Sequence, residues 1–319
     1  MKKNYIVTTG IPETWEFNEN NFILGQWCEF YENNDFNYEE YKNKISQNTT
    51  IIKNKHHWSD NDKRNNDYKY LKSELESLLE IISEHLSKTH NISESKEYWR
   101  VIVFGWLTNY VIIIFDKWET IRIFFEKNKN KKFYSNFISL NDSDYIPKNH
   151  LNFFELTQKH KWNHLVFLRL FNYLNIKNIS FIKKDNITQN TEIKSYTQKK
   201  NLLITYALRI VDKFISKFAF KFNKIIFESF YFPKKEFLKI CFRCKLIPSK
   251  YSNFFDLKIN ENSQISNNKR NKFKTLLSKV ESKDDFIKFL LSNLHKDMPM
   301  SYLENFDLIK KTFSKVAKK

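Results

Sequence analysis

The stretch that decides the fold runs from Glu97 to Glu126 and reads EYWRVIVFGWLTNYVIIIFDKWETIRIFFE. It carries no charged residue over the 15 positions from Val101 to Phe115, which is too short for a bilayer span of about 20 apolar residues. Helical spacing places Leu107, Val111 and Trp118 on one face. The stretch therefore predicts a long helix buried in the core of a soluble domain.

Polar residues inside this predicted helix need partners. Gly105, Asn109 and Asp116 share a second face, and a buried polar group without a partner costs about 1–3 kcal/mol. Asn109 and Asp116 either hold the helix in register or line a cleft. Arg100 lies 16 positions before Asp116, about 24 Å along a helix, so the two cannot pair. We expect Asp116 to pair with a basic side chain of a neighbouring element or with a capping backbone.

Composition limits the kinds of partner. The 319 residues include 54 basic and 36 acidic ones, a net charge of +18 that favours anionic partners. The lysines are scattered among Asn, Ile and Phe, which indicates a generally basic surface and no specific nucleic-acid patch. With only 3 glycines, the chain has no Gly-rich phosphate loop. A nucleotide site must then use helix N-termini or Lys and Arg side chains.

The three cysteines indicate a reducing compartment. Cys241 and Cys244 form a C-x-x-C pair, but zinc needs four ligands and no second pair is suitably spaced. The pair also lies towards the end of its helix, where a thiolate is not stabilised, so we interpret both as structural thiols. The N-terminus lacks the apolar core of a signal peptide, so we expect a cytoplasmic protein.

Alternating strand and helix patterns predict an α/β, helix-rich Rossmann-like domain. Strands are expected at 5–9, 22–27, 49–52, 179–182 and 224–231, and helices at 60–90, 97–126, 153–174, 202–222 and 234–244, with one after Ser282 and a basic one ending at Lys319. We expect a Rossmann-like domain over 1–259, a polar linker over 260–271 and a helical segment over 272–319.

Candidate site residues follow from this layout. Thr8 and Thr9 end the first strand, where open α/β sheets place ligands. His57 and Asp60 lie at the start of a helix, where the pair His56–His57 has three interpretations: metal ligand with Asp60 and Asp62, helix cap, or general base and phosphate contact. We expect neither a metal nor a cofactor. Trp162, Asn163 and His164 cannot all face one site, because successive helix residues point in different directions.

Seven motifs together resemble a known family. They are Val7-Thr8-Thr9 with Thr14-Trp15, Leu24-Gly25-Gln26-Trp27-Cys28, His57-Trp58-Ser59-Asp60, Tyr98-Trp99-Arg100 with Gly105-Trp106, Phe115-Asp116-Lys117-Trp118, Trp162-Asn163-His164 and Pro299-Met300-Ser301-Tyr302-Leu303-Glu304. In order and spacing the chain resembles the transferases encoded in O-antigen and other surface-polysaccharide gene clusters of bacteria, which look like glycosyltransferases of the two-domain GT-B kind.

The resemblance implies a nucleotide-sugar donor, a carbohydrate acceptor and a role in lipopolysaccharide synthesis. His57 and Asp60 would be catalytic, and Thr8, Thr9, Trp15, Arg100, Asn163 and His164 would bind substrate. The family usually has Asp where Ser59 stands and Arg where Lys117 stands. Lysine keeps the charge of arginine but loses its bidentate geometry.

Length separates this chain from its longer relatives. The resemblance covers what looks like the N-terminal, acceptor-side half of a GT-B enzyme, so we expect a fragment or one half of a split enzyme. A separate C-terminal half would then complete the donor site, and this chain alone would not bind nucleotide-sugars. The rival hypothesis is a non-enzymatic basic protein that binds nucleic acid or an anionic membrane surface; peripheral membrane contact is also compatible with a transferase.

Overall fold

A computed structural model describes residues 2–29, 49–184, 233–247 and 264–317. The chain divides into two compact units. The first comprises Met1–Ile193 with Gln264–Lys319, and the second comprises Lys194–Ser263. The helix expected at 202–222 and the strand expected at 224–231 lie outside the described residues.

Five parallel strands form one sheet in the part of the chain that the structure describes. They are β1 (Asn4–Val7), β2 (Asn20–Ile23), β3 (Thr50–Lys53), β4 (Phe133–Phe137) and β5 (Ile179–Lys183), in the order β3-β2-β1-β4-β5. This order is that of a doubly wound fold, whose winding changes direction between β1 and β4. The predicted α/β class is confirmed, and the sheet is consistent with a Rossmann-like fold.

Strand β4 is the element that the sequence does not predict. Ser135 and Asn136 interrupt its apolar pattern, yet both are fully buried. The Ser135 hydroxyl donates to the carbonyl of Ile6 at 3.1 Å, and the Asn136 amide donates to the carbonyl of Trp15 at 3.1 Å. These hydrogen bonds pair the Ser135 hydroxyl and the Asn136 amide N–H inside the sheet layer, which offsets much of the cost of burying a polar strand beside β1.

A helical hairpin of α1 (Asn61–His90) and α2 (Lys96–Lys127) follows β3. Asp60 caps α1, since its carboxylate accepts from the Lys63 N–H at 3.0 Å. Asn91 ends α1 in the left-handed conformation with φ 53°, and Ser95 caps α2. The predicted bounds of this pair are confirmed because capping residues mark helix ends locally.

Helix α2 is the core helix that the opening stretch predicts. By length and composition it could cross a membrane, and 44% of its most apolar window is buried inside the protein. A core helix passes the same test. Buried aromatic side chains such as Trp99, Trp106 and Trp118 join α2 to the main hydrophobic cluster, and Trp106 packs edge-on against Phe153 and Tyr302.

The single helix expected at 153–174 is wrong, because the structure has two helices there. They are α3 (His150–Thr157) and α4 (His160–Leu174). The Asn163 amide donates to the carbonyls of Thr157 and Lys159 at 2.8 and 3.0 Å, which satisfies the end of α3. No Gly or Pro marks this break in the sequence, and the side chain of Asn163 caps the carbonyl groups there.

The remaining helices are α5 (Lys234–Arg243), α6 (Asn267–Leu277), α7 (Asp285–Asp297) and α8 (Phe306–Ala317). Helix α5 belongs to the second unit and follows Pro233 as predicted. Helix α6 occupies part of the stretch 260–271 that composition marks as polar. The cap of α7 is Asp284 and not Ser282, since Asp284 accepts from the Ile287 N–H at 3.0 Å.

Candidate functional site

Polar side chains gather at the carboxyl edge of the sheet, where doubly wound folds bind ligands. Thr8 and Thr9 follow β1, and His56 and His57 follow β3. Ile138 follows β4, directly across the switch point from Thr8. The chain therefore brings to one edge several of the residues that the sequence singles out.

His164 ties the two sides of the switch point together. Its Nε2 accepts from the Ile138 N–H at 3.0 Å, so its Nδ1 carries the hydrogen and donates to the Thr8 hydroxyl at 2.7 Å. Burial lowers the pKa of His164 to about 4 and outweighs the hydrogen bond from Ile138. Thr8 and His164 are both fully buried, so they position the strand ends and do not face solvent.

The loop after Thr9 is closed by its own hydrogen bonds. The Trp15 indole N–H and the Thr14 hydroxyl each donate to the Thr9 carbonyl at 3.0 Å. The Gly10 N–H donates to His160 at 3.2 Å, and a Cβ on Gly10 would lie only 2.5 Å from a backbone oxygen. Thr9 and Trp15 therefore brace this loop, and Gly10 is required for its close packing.

His56, His57 and Asp116 form a cluster next to the end of β3. Both Nε2 atoms contact one oxygen of Asp116, at 2.8 Å from His56 and 3.0 Å from His57. Asp116 comes from α2, about sixty positions away in sequence, and its side chain is 15% exposed. The prediction that Asp116 pairs with basic side chains of a neighbouring element is confirmed.

The two histidines differ in access to solvent. The side chain of His57, the residue named from the sequence as acid or base, is 2% exposed, and that of His56 is 38% exposed. Asp60 turns away from both and caps α1. The group of the cluster that a substrate can reach is therefore His56, whereas His57 is a buried hydrogen-bond partner of Asp116.

These contacts change the pKa values of Asp116 and His56. Burial alone would raise the pKa of Asp116, but the hydrogen bonds from His56 and His57 outweigh it and lower that pKa to about 2. The hydrogen bond to Asp116 raises the pKa of His56 above its ordinary value. Asp116 is thus a carboxylate at neutral pH.

The cluster matches the distances of a metal site, but the hydrogen bonds of His56 do not suit a metal ligand. Three donor atoms lie within 4.8 Å of one another, and the imidazole rings are stacked at 4.6 Å and 20°. Both Nε2 atoms point at the same oxygen of Asp116, so the ring planes alone do not exclude an ion. However, Nδ1 of His56 accepts from the Trp58 N–H at 3.1 Å, so Nε2 carries the hydrogen and has no lone pair for a metal.

Lys117 is a second charge at the same end of α2. It is 4% exposed, and its ammonium lies 4.2 Å from the centre of the Trp27 ring and 5.5 Å from that of Phe167. Burial lowers the pKa of Lys117 to about 8, although the charge of Asp116 opposes the change. Gly25 makes room for the Trp27 ring, because a Cβ there would lie 2.4 Å from it.

Arg100 lies away from this edge. It forms a salt bridge with Glu76 of α1 on the exposed side of the hairpin, about 24 Å along α2 from Asp116. Asn163, as described above, closes the junction of α3 and α4. The structure therefore does not bring Arg100 or Asn163 to the cluster.

Sequence reasoning considers His56 and His57 as a pair but assigns the acid or base role to His57 alone, and it gives Lys117 no role in the site. The signal for Lys117 was available, since it forms a charged pair with Asp116 directly after a long uncharged run. The sequence gives His56 and its neighbour His57 the same three interpretations and cannot choose between them. Their different exposure depends on the turn of His57–Ser59, which the sequence does not predict.

A doubly wound parallel sheet with polar groups gathered at its carboxyl edge defines an α/β protein of the Rossmann-like class. The chain belongs to the LIC12162 family of transferases, whose family model matches residues 4–319. It is therefore an enzyme of transferase type, in agreement with the transferase resemblance of its motifs. No curated protein and no solved structure matches the chain.

Proposed function

We propose that this protein transfers a sugar from a nucleotide-sugar to a carbohydrate acceptor during synthesis of a bacterial surface polysaccharide such as O-antigen. The family supplies the reaction type, and the motif resemblance supplies the substrate class. The observation that carries the proposal is the cluster of His56, His57 and Asp116 at the carboxyl edge of the sheet, where one imidazole reaches solvent.

His56 has the arrangement of a general base. Asp116 accepts the hydrogen of Nε2, which leaves the lone pair on Nδ1, where it accepts from the Trp58 N–H at 3.1 Å. An acceptor hydroxyl that displaces this N–H would give its proton to Nδ1. The imidazolium would then lie beside the Asp116 carboxylate, which stabilises it.

The proposed step balances as a displacement at the anomeric carbon of the donor. The acceptor oxygen forms a bond to that carbon, the bond from the carbon to the phosphate oxygen breaks, and the nucleotide leaves with the electron pair. The proton of the acceptor moves to His56. His57 and Asp116 position His56 and do not touch the reacting atoms.

A small cavity next to His56 suits part of an anionic substrate. Its volume is about 80 Å³, and its lining includes Lys55, His56, Thr120 and Lys127. Among the residues that the structure describes, the Thr120 hydroxyl is buried without a hydrogen-bond partner, and none that lines the cavity carries a carboxylate. A phosphate group would find two cations and one unsatisfied donor there.

The test compares membrane extracts of the source organism with and without the gene. Labelled nucleotide-sugars are added, and label in polysaccharide is measured after complementation with wild type, His56→Gln or Arg100→Ala. Wild type and Arg100→Ala should restore transfer, since Arg100 lies far from the cluster, and His56→Gln should lower the rate about 100-fold or more, the range of a lost general base.

Each result separates function from mechanism. Equal transfer with and without the gene means that the protein is not the sugar transferase. Transfer that needs the gene but survives His56→Gln means that the reaction class is right and the assigned base is wrong. Melting curves of the purified variants show whether any loss comes from unfolding.

A further inference from the structure

Helix α5 of the second unit exposes two large apolar side chains. Phe242 is 87% exposed and Leu238 is 52% exposed. They lie four residues apart on a ten-residue helix, so they share one face. Cys241, which is about 100° from Phe242 around the helix, is 1% exposed. Scattered apolar residues on a surface are ordinary, but this pair forms a local apolar strip.

Cations flank the apolar strip on the same side of α5. Lys235, Lys239 and Arg243 are exposed, and at about 100° per residue they fall with the strip inside an arc of about 140°. The acidic residue of the helix, Glu236, is paired with Lys239 at 2.8 Å. The exposed arc is therefore both apolar and positively charged.

We propose that α5 binds an anionic lipid bilayer surface. Leu238 and Phe242 enter the boundary between headgroups and acyl chains, and the three cations contact lipid phosphates. Helices that lie in the membrane interface combine these two features, an apolar face and Lys or Arg beside it. The net charge of +18 adds long-range attraction to such a surface.

Charge complementarity and chemistry favour a membrane over a nucleic acid as the partner. Nucleic acid would use the cations and could stack on one aromatic ring, but it offers nothing to an aliphatic side chain such as Leu238. A bilayer accommodates both apolar side chains together. The inference concerns α5 alone and does not depend on the proposed reaction.

The experiment measures binding of the full chain to sedimented vesicles. One set is phosphatidylcholine, and the other also contains phosphatidylglycerol. The double variant Leu238→Ser with Phe242→Ser keeps every charge, and Leu151→Ser is its matched control, because Leu151 is 75% exposed on α3. Wild type and control should bind the anionic vesicles, and the double variant should bind about tenfold more weakly or worse.

A charge series completes the test. Replacing Lys235 or Arg243 with Gln should weaken binding to anionic vesicles about fivefold for each cation, with little change on phosphatidylcholine. Wild-type binding by the double variant, no binding by the parent chain, or tighter binding to duplex DNA than to anionic vesicles at the same salt would each overturn the proposal. Circular dichroism confirms that the variants are folded.

Discussion

Replacing Lys117 with methionine should make the folded protein more stable. The ammonium is 4% exposed, and the fall of its pKa from 10.5 to about 8 corresponds to roughly 3 kcal/mol lost by burying the charge at neutral pH. The attraction between the ammonium and the Trp27 ring offsets about 1–2 kcal/mol of this loss. Methionine has a similar length and no charge, so Lys117→Met should gain about 2 kcal/mol at pH 7.

The pH dependence of this gain has a definite sign. The folded pKa of about 8 lies below the unfolded value of 10.5. The unfolded chain therefore binds more protons in that window, and the wild type gains stability as pH rises from 8 to 10.5. The advantage of Lys117→Met should narrow across the same range. Urea unfolding of both proteins from pH 7 to 10.5 measures the difference directly.

A matched control is Lys132→Met. Lys132 also lies over an aromatic ring, with its ammonium 5.8 Å from the centre of Tyr134, but it is exposed. Its replacement should change the unfolding free energy by less than about 0.5 kcal/mol. A lower urea midpoint for Lys117→Met at pH 7, or an advantage that stays constant up to pH 10.5, would refute the reasoning.

Two further predictions concern the charge of Asp116 and the packing of two glycines. Asp116→Asn should lower the unfolding free energy at pH 7 by about 2 kcal/mol, since folding lowers the pKa of Asp116 from 3.8 to about 2. This stabilisation exists above pH 4 and is lost as pH falls through 2, so the urea curves of the two proteins should converge in acid. A difference in unfolding free energy that persists at pH 2 contradicts the assignment. Gly25→Ala should lower the melting temperature by displacing the Trp27 ring, at a cost of about 1–3 kcal/mol, whereas Gly105→Ala, with 3.4 Å to its nearest neighbour, should be neutral or stabilising by up to about 1 kcal/mol.

Local signals in the sequence predict the helical hairpin well. Asp60 and Ser95 cap their helices, and Asn91 ends α1, as capping rules require. These residues act within one turn of the backbone they satisfy, so no distant contact can change the outcome. The sheet class follows equally from the alternation of strand and helix patterns.

Specific side-chain contacts, most of them long-range, account for what the sequence does not predict. Ser135 and Asn136 make β4 look like a loop, and their partners lie more than 100 positions away. The break before α4 depends on Asn163, whose amide reaches back to Thr157. Polar residues of this kind are ambiguous until their partners are known.

In the candidate site, too, the sequence predicts the need for a partner but not which residues supply it. The sequence predicts that Asp116 needs a basic partner, since a lone buried carboxylate is costly. It does not identify His56 and His57 as that partner, because sixty positions separate them from Asp116. Arg100 was chosen for its place at the start of α2, and that place puts it at the far end of the helix from the cluster.

Asp116 and Lys117 are adjacent in the sequence, yet their side chains lie in different surroundings. Successive helix residues point about 100° apart, so Asp116 faces the two histidines and Lys117 faces Trp27. The histidines satisfy the carboxylate and lower its pKa, which makes Asp116 a stabilising charge. Aromatic rings cannot accept an ammonium hydrogen as a carboxylate does, so Lys117 remains a destabilising one. A charge that costs stability in a core helix, next to the edge proposed to bind substrate, is best explained by selection for activity. Lys117→Met, if more stable than the parent, should therefore be the less active transferase.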